Sequence, residues 1–156
     1  MKINQLRLKD KNLYLIIEYE LFDDETQLLD TIAMELENNI QVIHLNCGHA
    51  CTKNIIATGR KIRELCSIYN ALLIINDRID ITIEIEADGI FLDENSFSVT
   101  SAKELLSDKY IIGTNYLTSD IDFIIGENKI NTSEIPCYVR CLMDVTNNKK
   151  IIYKKI

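Results

Sequence analysis

ALLIINDRIDITIEIEADGIFLDENSFSVTSAKELLSDKYIIGTN, residues 71 to 115, holds three short apolar runs separated by polar or amphipathic stretches. ALLIIND (71–77), DGIFLDE (88–94) and KYIIGTN (109–115) are rich in β-branched residues and bounded by Asn, Asp and Gly, which reads as three strands. Between the second and third, Ala102, Leu105 and Leu106 recur at helical spacing. Between the first and second, RIDITIEIE stays open: its β-branched residues favour a strand, yet a short helix fits the same position. Strands alternating with helical segments are the pattern of βα units around a parallel sheet.

The alternation extends towards the amino terminus. LYLIIEY (13–19) reads as a strand, followed by a helix from Asp24 carrying Leu28, Leu29, Ile32, Ala33 and Leu36. Acidic Asp23, Asp24 and Glu25 suit its start, where free backbone N–H groups favour negative charge. QVIHLN (41–46) is the next strand, and Thr52 is the expected cap of a helix carrying Ile55, Ile56, Gly59, Ile62, Cys66 and Tyr69. Beyond residue 115 the rhythm breaks. DFIIGE (122–127), CYVRC (137–141) and IIYKKI (151–156) read as strands lying too close together for covering helices, which with their loops need at least ~10 to 12 residues.

Eight βα units usually take ~250 residues, whereas this chain has 156. The expected fold is therefore α/β, a reduced TIM-type (β/α) barrel. Its amino-terminal half is complete, and the helices of its carboxyl-terminal half are trimmed. Residues 1–156 form one domain. Trimming leaves strand edges and apolar faces uncovered, so a homodimer or a partner chain is expected to cover them.

Composition narrows the functional classes. Apolar residues make up 47% and charged residues 26%, the balance of a globular chain with a core. No apolar run approaches the ~20 residues of a membrane span, and the opening MKINQLRLKDKN is too polar for a signal peptide. The cytoplasm is the expected location, and no membrane partner is expected. Net charge is -7 with dispersed basic residues, which argues against nucleic acid as a partner. Lys149, Lys150, Lys154 and Lys155 read as a solvated tail end. Cys47, Cys51, Cys66, Cys137 and Cys141 lack a disulfide-framework spacing and read as free thiols, with Cys137 and Cys141 turned outward as small hydrophobes.

Strand parity indicates which side chains face the barrel interior, because alternate residues point to opposite faces. In QVIHLN, Ile43 and Leu45 suit contact with outer helices, leaving Val42, His44 and Asn46 inside. In DGIFLDE, Ile90 and Leu92 face out while Phe91 and Asp93 face in. LYLIIEY turns Tyr14, Ile16 and Glu18 inward, and CYVRC turns Tyr138 and Arg140. The inferred mouth is Glu18, His44, Asn46, Asn76 or Asp77, Asp93 and Arg140, at the face where such barrels place their chemistry. A plainer reading is that any strand entering a surface loop becomes polar.

Within 71–115, the strand end Asn76-Asp77, then Arg78-Ile79-Asp80, the entry Ala87-Asp88-Gly89-Ile90 and Ile111-Ile112-Gly113 together resemble the thiamine phosphate synthase and thiazole tautomerase (TenI) superfamily. LYLIIEY fits that family's first strand and IPCYVRCLMDVTNN its seventh. The resemblance makes RIDITIEIE a short helix. It also implies a barrel joining a pyrimidine pyrophosphate to a thiazole phosphate, with Mg2+ held by aspartates and basic residues receiving pyrophosphate.

The family's Gln-x-Arg-x-Lys falls on His44, Asn46 and Gly48, which removes both cationic contacts. Asn76 and Asp77 match the family pair. The second magnesium aspartate falls on Ser96, with Asp93 or Glu94 as the near substitute, so the implied ligands of any Mg2+ are Asp77 and Asp93. The serine of the fifth-strand Gly-x-Ser falls on Asn115, and the seventh-strand loop, Arg140 to Val145, has no glycine. The resemblance thus implies ligand-binding positions at His44, Asn46, Asn76, Asp77, Asp93, Asn115 and Arg140. The tautomerase's histidine after Gly113 has no counterpart at Asn115, Tyr116 or Leu117, which leaves His44 or His49 as substitutes.

HLNCGHAC (44–51) carries both histidines of the chain. His44, Cys47, His49 and Cys51 are residue types that bind zinc, but H-x2-C-x-H-x-C lies outside the common zinc spacings. The favoured reading gives His44 and Asn46 as replacements for lost ligand-binding residues and Cys47 and Cys51 as packing thiols, without zinc. Two functions follow: a divergent protein of thiamine biosynthesis, with a phosphorylated thiazole or pyrimidine as its small-molecule partner and the usual synthase activity not expected, or a non-catalytic binding or interaction protein on the same degenerate barrel.

Overall fold

The computed structural model describes residues 3–9, 11, 13–126, 138–140, 143–144 and 151–152. In chain order the elements are α1 (Ile3–Lys9), β1 (Tyr14–Glu18), a 3-10 turn (Tyr19–Leu21), α2 (Glu25–Glu37), β2 (Val42–Asn46), α3 (Thr52–Ile68) and β3 (Leu72–Asn76). They continue with α4 (Ile79–Glu84), β4 (Gly89–Leu92), α5 (Val99–Leu105), β5 (Ile111–Thr114), β6 (Phe123–Gly126), β7 (Tyr138–Arg140), β8 (Met143–Asp144) and β9 (Ile151–Ile152). Strands β1 to β7 form one parallel sheet in sequence order, and β8 pairs with β9 antiparallel.

The sheet curls. Five strand spacings of ~4.8 Å would put β1 and β6 about 24 Å apart in a flat sheet, yet the rings of Tyr14 on β1 and Phe123 on β6 meet with centroids 5.7 Å apart. Tyr14, Val42, Leu72, Ile74, Phe91, Ile111, Phe123 and Ile125 fill the concave side. On the convex side Leu15, Ile17, Ile43, Leu45, Leu73 and Ile75 pack on α2 and α3, while Ile90, Leu92, Ile112 and Ile124 pack with α5. The parity read for β1, β2 and β4 is the parity observed. Gly113 is part of this packing: a Cβ there would fall within the ring of Phe123, so β5 can pass beneath β6's phenylalanine only without a side chain.

RIDITIEIE resolves as helix. Ile79, Ile81, Thr82 and Ile85 bury a helical face, and the Thr82 hydroxyl donates to the Arg78 carbonyl at 2.7 Å. Helix α2 starts as its acidic residues suggest, with Asp24 Oδ1 accepting from Gln27 N at 2.7 Å. Helix α3 differs from expectation. Its cap position is Cys51, and Thr52 is already helical, its hydroxyl engaged by Arg78 Nη2 at 3.0 Å rather than by the helix start.

No helix separates β5 from β6, so trimming begins where the spacing placed it. The lysines at 149, 150, 154 and 155, together with Cys137 and Cys141, lie outside the described residues.

Helix α1 was not legible in the sequence. It lies across the amino ends of the strands, where Asn4 Nδ2 donates to the carbonyls of Asp108 (3.0 Å) and Tyr110 (3.1 Å). Arg7 donates to the Lys109 carbonyl at 3.0 Å and pairs with the buried carboxylate of Asp88, while Leu8 enters the concave core.

Candidate functional site

The carboxyl ends of β1 to β5 gather the polar residues singled out by parity. Glu18 and Asn46 are register partners on β1 and β2, both half-buried. Asn76 ends β3 opposite Phe91, and Asp93 follows β4 on the same inward parity. Asn115 follows β5 and is exposed. Arg140 ends β7, in register with Gly126; its side chain lies outside the described residues.

Asp77 has an unusual backbone. It holds φ +68°, a left-handed conformation that costs an L-residue with a Cβ on the order of 1 kcal/mol and that Asp tolerates better than most. Asn39, Asn70 and Glu86 share this conformation where they follow helix ends and a left-handed residue closes the last turn, and Asp120 shares it in the loop before β6. Asp77 instead leaves a strand, anchored by its N–H to the Phe91 carbonyl at 2.8 Å. Backbone strain of this kind concentrates at functional sites.

Below the rim runs a buried polar chain. Tyr14 Oη lies 2.7 Å from His44 Nδ1, and His44 Nε2 lies 2.9 Å from Asn76 Oδ1. His44 is 1% exposed and touches the rings of Tyr14 and Phe91, with centroids at 5.7 and 4.9 Å. Burial holds its pKa down at about 4, opposed only partly by the Asn76 hydrogen bond, so the ring is neutral near pH 7. With both nitrogens occupied, His44 is one layer deeper than the rim and has no free nitrogen for a metal or a substrate proton.

The HLNCGHAC residues diverge. His44 faces the barrel interior, whereas Cys47 is buried in the convex core beneath α2 and α3. His49 and Cys51 are exposed. Among the described residues, no group of three or more His, Cys, Asp or Glu side chains is arranged to hold a metal ion.

The loop after β2 has a feature the sequence did not flag. Gly48 holds φ +57° with the Glu20 carboxylate against its α-carbon, in space a Cβ would fill. Glu20 Oε1 also accepts from His49 N at 2.7 Å. A carboxylate therefore lies on the loop segment where the resemblance implies a cationic side chain. Arg78, also near this end, is committed to Asp80 (2.7 Å) and Thr52. Among the described side chains at this end, acidic Glu18, Glu20, Asp77 and Asp93 therefore outnumber the available cations.

Asp77 and Asp93 follow adjacent strands and supply hard oxygen donors. Asp93 Oδ1 accepts from Asn95 N (2.8 Å) and Ser96 Oγ (3.1 Å), which fixes the orientation of its carboxyl group. This donor set fits a cation that takes one or two carboxylates and keeps much of its water, as Mg2+ does.

Comparison with known proteins gives concordant results. A family model described as thiamine monophosphate synthase matches residues 13–120. A thiamine-phosphate synthase of Fusobacterium nucleatum is 32% identical over 106 residues, covering 68% of this chain and 51% of that protein. One from Dictyoglomus thermophilum is 35% identical over 105 residues, covering 67% and 47%. A solved thiamine phosphate pyrophosphorylase from Pyrococcus furiosus superposes with TM-score 0.67 at 24% identity, over 81% of this chain and 64% of that one. The chain thus spans about half the length of these two curated relatives.

Proposed function

The chain belongs to the thiamine monophosphate synthase family, and from that premise we propose that its acidic rim binds a phosphorylated thiazole or pyrimidine, with the usual synthase reaction lost or altered. The observation that carries this reading is Asn76-Asp77: the family's pair ends β3 at the barrel rim, with Asp77 held in a left-handed backbone conformation.

Asp77 and Asp93 would hold Mg2+, which when bound would offset the negative charge of a phosphate. Asn46 and Gly48 offer no cationic partner for pyrophosphate, and Glu20 opposes one. Loss of the usual reaction follows from that charge balance, since a departing pyrophosphate needs positive groups to receive it. The same reading puts the protein in the cytoplasm, with a second copy or partner chain over the sheet from β5 to β6, where the described residues form no covering helix. Among the described residues, no helix is long and apolar enough to cross a membrane.

Isothermal titration with thiazole phosphate and with pyrimidine pyrophosphate, each with and without Mg2+, tests the proposal. Saturable binding that Asp77→Ala abolishes supports it. Absence of heat with either compound rejects it and favours a second reading, a non-catalytic interaction protein, which the occupied nitrogens of His44 also suit.

A further inference from the structure

The amide of Asn76 has a defined orientation. Its Oδ1 faces His44 Nε2 at 2.9 Å, and an amide oxygen can only accept, so the proton of the neutral imidazole is on Nε2. His44 Nδ1 is then an acceptor, matched by the Tyr14 hydroxyl at 2.7 Å. The Tyr14–His44–Asn76 chain runs in one direction, each group donating to the next. The Nδ2 of Asn76 is left over. Among the described residues it has no protein partner, and it is not among the polar atoms sealed from solvent without one.

We propose that His44 is a positioning residue: by holding Asn76 Oδ1 it turns the two Nδ2 hydrogens to the mouth, where they take an uncharged acceptor on a ligand's heterocycle rather than its phosphate. This rests on the reading that the rim binds a heterocyclic phosphate.

Charge decides which end of the ligand meets Asn76. Among the described side chains at this end, Glu18, Glu20, Asp77 and Asp93 are acidic and Arg78 is tied to Asp80 and Thr52, so a phosphate that brings no cation is repelled from Asn76. A neutral N–H donor presents no such conflict to a ring nitrogen or carbonyl oxygen. Phe91 is Asn76's register partner on β4 and packs against His44 with centroids 4.9 Å apart, adding an aromatic wall beside the donor. An amide held in one orientation favours an acceptor over a donor because the wrong group would leave Nδ2 desolvated and unmatched.

The test measures Kd for thiazole phosphate and for the same thiazole as its unphosphorylated alcohol. His44→Leu removes the donor, and His44→Gln offers an amide N–H at nearly the position of Nε2. His44→Leu is expected to weaken both compounds at least tenfold, with His44→Gln within threefold of the parent. Equal Kd values for the parent and His44→Leu overturn the proposal, as does a loss confined to the phosphate. Should His44→Leu not fold, Asn76→Asp, which cannot donate, serves instead: a tenfold loss for the uncharged alcohol supports the proposal and an unchanged Kd overturns it. Should the parent bind neither compound, the functional reading fails separately. Positioning is then judged by long-range 1H–15N spectra of the free protein, where a proton on Nε2 of His44 supports it and one on Nδ1 overturns it.

Discussion

Asp88 and Asp122 stand in equivalent places two strands apart. Asp88 N donates to the Leu73 carbonyl at 2.8 Å while its Oδ2 accepts from Leu73 N, also at 2.8 Å. Asp122 repeats this on Ile112, at 2.7 Å from backbone N and 2.9 Å to Oδ2. Each aspartate, just before its strand begins, satisfies both backbone groups of a residue on the neighbouring strand, the N–H with its carboxylate and the carbonyl with its own backbone N–H. Both also face α1: Asp88 pairs with Arg7 and lies 3.5 Å from Arg63, and Asp122 is 3.4 Å from Asn4 Nδ2.

Removing the Asp88 carboxylate is expected to cost about 3 to 5 kcal/mol, because Leu73 N and two guanidinium groups lose a largely buried partner. Chemical denaturation of Asp88→Ala measures this. The same variant should lower the amide-exchange protection of α1, which Arg7 ties to Asp88.

His44 gives a signed pH dependence. Its folded pKa of about 4 lies below the unfolded value of 6.5, so the unfolded chain binds the proton more readily. The stability linked to neutral His44 is complete above pH 6.5 and is lost as pH falls from 6.5 to 4. At 1.36 kcal/mol per pKa unit the loss is on the order of 3 kcal/mol. The stability difference between the parent and His44→Gln should shrink by roughly that amount between pH 7.5 and pH 4.5. A constant difference in urea unfolding would refute the burial argument.

Thiol reactivity should follow burial. Burial pushes the Cys47 thiol up to about 11 and the Cys66 thiol to about 12, while Cys51 is exposed. Alkylation at pH 8 followed by peptide mass mapping should show Cys47 and Cys66 reacting roughly 100-fold more slowly than Cys51. Denaturant should remove the difference.

Gly113→Ala should destabilise by about 1 to 3 kcal/mol through collision with Phe123. Combining it with Phe123→Leu should recover part of the loss, which would appear as a non-additive double-mutant cycle in denaturation midpoints. Additive effects would place the strain elsewhere.

The sequence carried the alternation of elements and the facing of their side chains, since both follow from the periods of strand and helix. Ile43, Leu45, Ile90 and Leu92 are on the predicted face for that reason. Depth was not legible. Parity turned His44 inward, but whether it reaches the rim depends on Tyr14, thirty positions away in sequence. Helix α1 was hidden because it buries only Asn4 and Leu8 among the residues whose exposure is described, too few to make an apolar stripe. Glu20 gave no signal, because its role comes from the space above Gly48.

Leu8 is set among Tyr14, Val42, Leu72 and Phe123 at the strands' starting ends, so a side chain from outside the curled sheet stoppers that end. From that end a ligand bound as proposed would find no way in.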